Sequence, residues 1–178
     1  MTNHSRFAAV LLATSLALAG CTSENTRETS AAPVAFTQEN NGDGATVFMR
    51  GRTDPLAPSR LYVDVIARGA PDVHGAAFRV TWDASSLAYV ESKNGLSWSK
   101  DALAMVKEGS PGQLAVVWTE QGEMGIDATQ ETVIGTLTFE TRGRGATSLA
   151  FKTERSQLVD RKGVKLDAKW HGGTVAAR

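Results

Sequence analysis

The stretch from Gly75 to Val90, GAAFRVTWDASSLAYV, constrains the fold more than any other part of the chain. Ala76, Phe78, Val80 and Trp82 alternate with Ala77, Arg79 and Thr81. A side-chain period of two belongs to a β-strand with one face in a core and the other face wetter. The alternation stops at Asp83-Ala84-Ser85-Ser86, where side-chain oxygens can cap a turn. The apolar pattern resumes at Leu87, Tyr89 and Val90. The stretch predicts a strand, a tight polar corner and a second strand, with Trp82 and Leu87 anchoring the corner to a core.

The same grammar recurs along the chain. Ala45 to Arg50 reads as a first strand, and Pro55 and Pro58 break the segment after it. Leu61, Val63, Val65 and Ala67 alternate with Tyr62, Asp64, Ile66 and Arg68. Leu103 to Lys107 is a short strand, and Gln113 to Thr119 is apolar on both faces, the pattern of a central strand or of an exposed binding surface. Its alternation separates Leu114, Val116 and Trp118, assigned to the core, from Ala115, Val117 and Thr119. Thr132 to Thr141 sets Val133, Leu137 and Phe139 opposite Thr136, Thr138 and Glu140. Leu149 and Phe151, Leu158 and Val159, and Thr174 to Ala177 mark later strands, with Asp160 to Gly163 as a hairpin turn. Gly69 to Asp72, Lys93 to Gly95, Gly109 to Gly112 and Gly143 to Gly145 have turn composition, and Gln121 to Gln130 reads as a loop. Many short strands with turn chemistry between them, and no helical periodicity, predict an all-β sandwich or barrel.

The beginning of the chain obeys different rules. Arg6 precedes an apolar run from Phe7 to Ala19, followed by Gly20 and Cys21. This is the layout of a secretory signal, and its ~13 apolar residues fall short of a membrane-spanning helix. Leu18-Ala19-Gly20-Cys21 resembles a bacterial lipobox. That resemblance implies a signal peptide over residues 1–20, cleavage before Cys21 and lipid on its sulfur. Acyl chains contribute about 0.8 kcal/mol per buried methylene, so the lipid would hold the protein to the cell envelope. Thr22, where inner-membrane lipoproteins often carry Asp, leans the expectation towards the outer membrane. Residues 21–44 are rich in Ser, Thr, Asn and Glu, a composition that buries too little to order itself and predicts a flexible tether. Residues 45–178 form the expected single domain.

Charge and motifs narrow the function. Nineteen basic residues balance nineteen acidic ones, so no basic field favours nucleic acid. Cys21 is the one cysteine, which leaves the domain no disulfide. Asn41-Gly42-Asp43-Gly44 lacks the repeated ligands and closing Glu of a calcium loop. His74 and His171 belong to no metal motif, and Gly95-Leu96-Ser97-Trp98-Ser99 misses the last glycine of a nucleophile elbow. Asp83 and Asp127 could be read as paired carboxylates, yet Asp83 already has a role as a turn cap. The expectation is a non-catalytic domain with no metal and no cofactor.

The order of elements resembles the cohesin domain. The residues that carry the likeness begin with the strand ending in Trp82-Asp83-Ala84-Ser85-Ser86-Leu87, followed by Gly95-Leu96. Pro111-Gly112 then opens a strand, Gly135 to Phe139 reads GTLTF, and Asp160 to Gly163 precedes a terminal Gly173-Thr174-Val175 strand. The resemblance implies a jelly-roll-like sandwich of about nine strands. It also implies a protein-binding module whose usual partner is a dockerin. The implied binding face is built from strands corresponding to Gly75–Trp82, Leu103–Lys107, Gln113–Thr119 and Ala146–Phe151. Its contact candidates are Ala77, Arg79, Thr81, Ala115, Val117 and Thr119. Two alternatives stay open: glycan binding, with Trp98 as the stacking residue because it falls in an irregular segment, and a structural adaptor in an envelope or secretion assembly.

Overall fold

In the computed structural model, which describes residues 34–40 and 42–177, the chain is built almost wholly of strands. These are β1 (Val34–Gln38), β2 (Thr46–Asp54), β3 (Ala57–Arg68), β4 (Ala70–Val73), β5 (Gly75–Thr81) and β6 (Leu87–Asn94). They continue as β7 (Leu103–Glu108), β8 (Gln113–Thr119), β9 (Ile126–Ala128), β10 (Thr132–Thr141) and β11 (Gly145–Phe151). The last four are β12 (Gln157–Val159), β13 (Lys165–Leu166), β14 (Lys169–His171) and β15 (Gly173–Ala177).

The larger sheet runs β1-β15-β11-β5, with β12 and β13 beyond β5 on the β11 side and β8 then β7 on the other. The smaller sheet is β14-β2-β3-β10-β6, and β4 and β9 form a two-stranded ladder at one end. All pairings are antiparallel except β14 on β2. The two sheets pack their alternating apolar faces together, as a sandwich must. Phe78, Val80, Leu114, Val116, Trp118, Leu149 and Val175 from the larger sheet meet Val47, Met49, Leu61, Val63, Val65, Leu137 and Phe139 from the smaller. The all-β sandwich anticipated from the alternation is what the chain forms.

The opening stretch behaves as its residues dictate. The Trp82 indole N–H donates to the Leu87 carbonyl at 2.9 Å, closing the corner inside the core. Asp83 caps that corner through the Ser85 amide at 2.9 Å and the hydroxyls of Ser85 and Ser86.

Several expectations change. The folded domain does not begin at residue 45: Val34–Gln38, assigned to the tether, pairs along β15 from Val34↔Ala177 to Gln38↔Gly173. Val34 is buried and Phe36 packs on the core, so two apolar residues in a polar context suffice once a sheet edge is waiting for them. The proposed signal peptide, Cys21 and the earlier part of the tether lie outside the described residues. Short ladders also arise at β4 and β9, where a turn and a loop were expected, and at β14, to which no element was assigned. Finally, Val133 does not share a face with Leu137 and Phe139. A bulge between Val133 and Gly135 flips the register, leaving Val133 37% exposed and burying Ile134 completely.

Candidate functional site

The outward face of the larger sheet is the surface that stands apart. Strand β8 sits between β5 and β7, and its registers align three transverse rows. Leu103, Thr119 and Gly75 form the first row, Met105, Val117 and Ala77 the second, and Lys107, Ala115 and Arg79 the third. The side-chain period of two sends all of these outward, because Ala76, Phe78, Leu114, Val116 and Trp118 are buried on the other side. On the far side of β5 the second row continues to Gln157 and the first to Val159.

The six residues singled out in the sequence therefore share one face. Ala77 stands opposite Val117, Arg79 opposite Ala115, and Thr81 opposite Gln113, while Thr119 lies at the end of β8 against Gly75. Ala77, Thr81, Ala115, Val117 and Thr119 are half-buried and Arg79 is exposed. Sequence reasoning named the strand β7 but not its outward residues. Leu103 is 56% exposed and Met105 67% exposed, two large apolar side chains on an open sheet surface. The signal was present in LAMVK, where apolar residues fill both faces of the strand.

The face is shaped as well as apolar. A hollow of ≈ 520 Å³ is lined by Ala104, Met105, Val106, Lys107, Ala115 and Val117. A smaller one of ≈ 180 Å³ lies across β5 and β12, between Val117, Ala77, Gln157 and Val159. Gly75 allows this second hollow, since a Cβ there would come within 2.8 Å of the Val159 side chain. Arg79 and Lys107 flank Ala115, and no outward position of β5, β7, β8, β11 or β12 carries a carboxylate. The surface thus combines exposed aliphatic area with two cations unopposed by acids.

The end of the sandwich beside this face is fastened by Glu120, whose signal in the sequence was nil. Its carboxylate accepts from the Ser99 hydroxyl, the Ser99 amide at 2.9 Å, the Gln121 amide at 2.9 Å and the Gly122 amide at 3.2 Å. The bonds from Ser99, and then those from the Gly122 and Gln121 amides, hold the carboxyl down at about 2 despite burial. Glu120 ties the segment before β7 to the segment after β8, so it sets where β7 lies. On the opposite sheet, Arg52 grips Asp64 through both guanidinium nitrogens, at 2.7 and 2.9 Å, and Thr136 adds a third bond at 2.7 Å. Burial pushes the Asp64 carboxyl up, but the Arg52 and Thr136 hydrogen bonds outweigh it and hold it below its ordinary value.

Trp98 is not the exposed stacking residue expected of it. It is 6% exposed, and its indole N–H donates to the Ile134 carbonyl at 2.6 Å. The irregular segment folds inward because the Ile134 bulge offers an acceptor and Trp98 fills the space beside it. Trp82 and Trp118 are likewise buried, and Trp170 packs edge-on against Phe151 at 5.0 Å. Three of the four tryptophans are thus buried, and Trp170 is half-buried against Phe78 and Phe151. Asp83 and Asp127 each cap their own turn, the latter through the Thr129 amide at 3.0 Å, and do not form a facing pair. Among the described residues, no cluster of His, Asp or Glu could hold a metal ion.

No protein-family model matches the chain, and no curated protein does. Solved structures do. The sixth cohesin of scaffoldin B from Acetivibrio cellulolyticus, solved in complex with a Cel5 dockerin, superposes with a TM-score of 0.64 at 19% identity, over 76% of this chain and 100% of that one. A non-cellulosomal cohesin from the archaeon Archaeoglobus fulgidus gives 0.54 at 13% identity, over 80% and 89%. The cohesin module of a Clostridium perfringens family 33 glycoside hydrolase gives 0.52 at 11% identity, over 84% and 97%. At these identities the likeness speaks for architecture: the chain has the cohesin fold.

Proposed function

We propose that this domain is a non-catalytic module that grips a protein partner through the outward face of β5, β7 and β8, and that lipid on Cys21 holds it at the bacterial envelope. The observation that carries this reading is the face itself. Leu103, Met105, Val117, Ala77 and Val159 expose contiguous aliphatic surface around two shallow hollows, with Arg79 and Lys107 beside it and no acid. Apolar area of this kind on a sheet marks an interaction surface. Its complement is a partner with an apolar ridge bordered by carboxylates, whether a dockerin or an envelope component. Dockerins are the partners in the Acetivibrio cellulolyticus complex and in a Clostridium thermocellum complex of the same fold.

The test is affinity capture from the parent cells, with the bound proteins identified by mass spectrometry, followed by titration of the purified partner. Val117→Asp puts a charge into the apolar centre, and Arg79→Glu reverses the cation beside it. Each should weaken the captured partner at least tenfold, because central apolar and charged positions dominate such interfaces. Raised salt should weaken it further. A partner that binds both variants as tightly as the unaltered chain would remove this face from consideration.

A further inference from the structure

His74 stands between β4 and β5, and it is buried. Its backbone amide donates to the Val159 carbonyl at 2.8 Å, and its carbonyl accepts from the Glu120 amide at 2.8 Å and the Thr119 hydroxyl at 3.3 Å. The ring is thereby held between β12 and the end of β8, and its chemistry depends on what its two nitrogens meet. Nε2 lies 3.2 Å from the Gly122 carbonyl oxygen. Nδ1 lies 3.4 Å from Asp72 Oδ1, is shut off from solvent and has no hydrogen-bond partner among the described residues. A carbonyl and a carboxylate only accept. A neutral imidazole carries one N–H, so in either tautomer one ring lone pair faces an oxygen. Only the imidazolium has a proton for each. The same oxygen of Asp72 accepts from the Gly125 amide at 3.2 Å, and a Cβ at Gly125 would come within 2.6 Å of that oxygen and 2.7 Å of Nδ1. His74 and Asp72 therefore touch the connection from β8 to β9 at two places, Gly122 and Gly125. The other charged groups on the elements around the ring are engaged elsewhere or exposed. Glu120 is bonded to Ser99, Glu123 pairs with Arg161 at 3.8 Å, Asp127 and Asp160 cap their own turns, and Lys162 is exposed.

We propose that His74 is a proton-operated latch on the connection Gln121–Gly125. In its charged form the ring donates to the Gly122 carbonyl and to the Asp72 carboxylate at once, and holds the connection against β4 and β5. When the proton leaves, one of the two bonds goes with it and a buried lone pair is set against an oxygen, an arrangement that costs free energy away from water. The connection then loosens. Histidine is the side chain that makes such a change between about pH 5 and 8. The latch is firm on the acid side of that window and released on the alkaline side. The Glu120 carboxyl, held at about 2, stays ionised throughout, so its grip on the Gln121 and Gly122 amides does not vary across the window. The latch sits at the end of the row formed by Gly75, Thr119 and Val159, and so at one margin of the open face. It acts on the connection itself, and the inference does not depend on the partner reading above.

Amide–water exchange read by NMR tests this on the chain from residue 21 onward carrying Cys21→Ser. The reporters are the Gln121 and Gly122 amides, compared at pH 5 and pH 8 after correction for the intrinsic pH dependence of exchange. Their protection should be roughly two- to fivefold greater at pH 5, a modest gain because the Asp72 side chain is 56% exposed. Asp72 has a φ of 53°, a left-handed backbone that asparagine also tolerates. Asp72→Asn therefore keeps the backbone and an acceptor for Gly125, removes the charge, and should remove most of the response. His171→Gln alters the other histidine among the described residues and should leave the response intact. Equal protection at the two pH values overturns the proposal. So does a response that survives Asp72→Asn, or one that disappears with His171→Gln.

Discussion

The Trp82 indole N–H and the Leu87 carbonyl meet at 2.9 Å across a corner of four intervening residues, and both residues are buried. The bond makes the corner part of the core. The Trp82 ring also stands edge-on to Phe139 at 5.2 Å, which links the larger sheet to the smaller. Trp82→Phe keeps an aromatic ring and deletes the donor, leaving a buried carbonyl unpaired. It should cost about 1–3 kcal/mol of unfolding free energy by urea titration. A loss near zero would mean that the corner is held by the Asp83 cap alone.

Gly135 faces the Trp118 indole so closely that any Cβ there would overlap the ring. This gives a physical reason for the glycine that opens GTLTF: β10 can pass over the largest buried side chain only where its own side chain is missing. Gly135→Ala should destabilise the domain by about 1–3 kcal/mol through overpacking. Pairing it with Trp118→Phe, which withdraws part of the ring, should recover some of that loss, read as a non-additive double-mutant cycle. Strict additivity would show that the two residues do not share the same space.

Glu120 gives the fold a defined response to acid. Its carboxyl has an ordinary value of 4.5 and is held at about 2 in the folded chain. A depressed folded value means that the contribution is complete above pH 4.5 and is lost as pH falls towards 2. Asp64, Asp83 and Asp127 are shifted the same way, so the informative quantity is a difference between variants. Ser99→Ala removes the strongest donor to Glu120 and should flatten the fall in melting temperature between pH 4.5 and 2. It should also lower stability at pH 7 by about 1.5–3 kcal/mol, the range for hydrogen bonds to a charged group. An unchanged slope would assign the acid response to the three aspartates.

What the sequence made legible was whatever depends on local period. The alternation of Phe78, Val80 and Trp82, and of Leu114, Val116 and Trp118, sorted each strand into a buried and an open side, and the structure keeps that sorting. The Asp83 cap was legible because its partners lie two and three residues away. What stayed hidden depends on contacts distant in sequence. Trp98 finds its acceptor at Ile134, thirty-six residues on, and the bulge that presents it leaves no trace in the polarity of Val133. Glu120 looks like any exposed acid until Ser99 is brought to it. Val34–Gln38 is too polar to announce a strand and becomes one because β15 presents an open edge. The candidate face was half legible: β5 and β8 follow from alternation, whereas the outward role of Leu103 and Met105 required knowing that β7 lies at the rim.

The two sheets carry opposite kinds of polar chemistry, and that contrast separates a folding role from a binding role. Asp64 is buried on the smaller sheet beneath Arg52 and Thr136, three hydrogen bonds that satisfy one carboxylate. Asp64→Ala should cost about 1–3 kcal/mol by denaturant titration, limited because the Arg52 side chain is 55% exposed and recovers its hydration. It should leave partner capture unchanged, since Asp64 faces away from β5, β7 and β8. Val117→Asp should do the reverse, because Val117 stands at the half-buried centre of the open face. Measured together, the two variants form a crossed pair: one loses stability and keeps the partner, the other loses the partner and keeps stability. Loss of capture by Asp64→Ala with Val117→Asp still competent would move the binding surface to the smaller sheet.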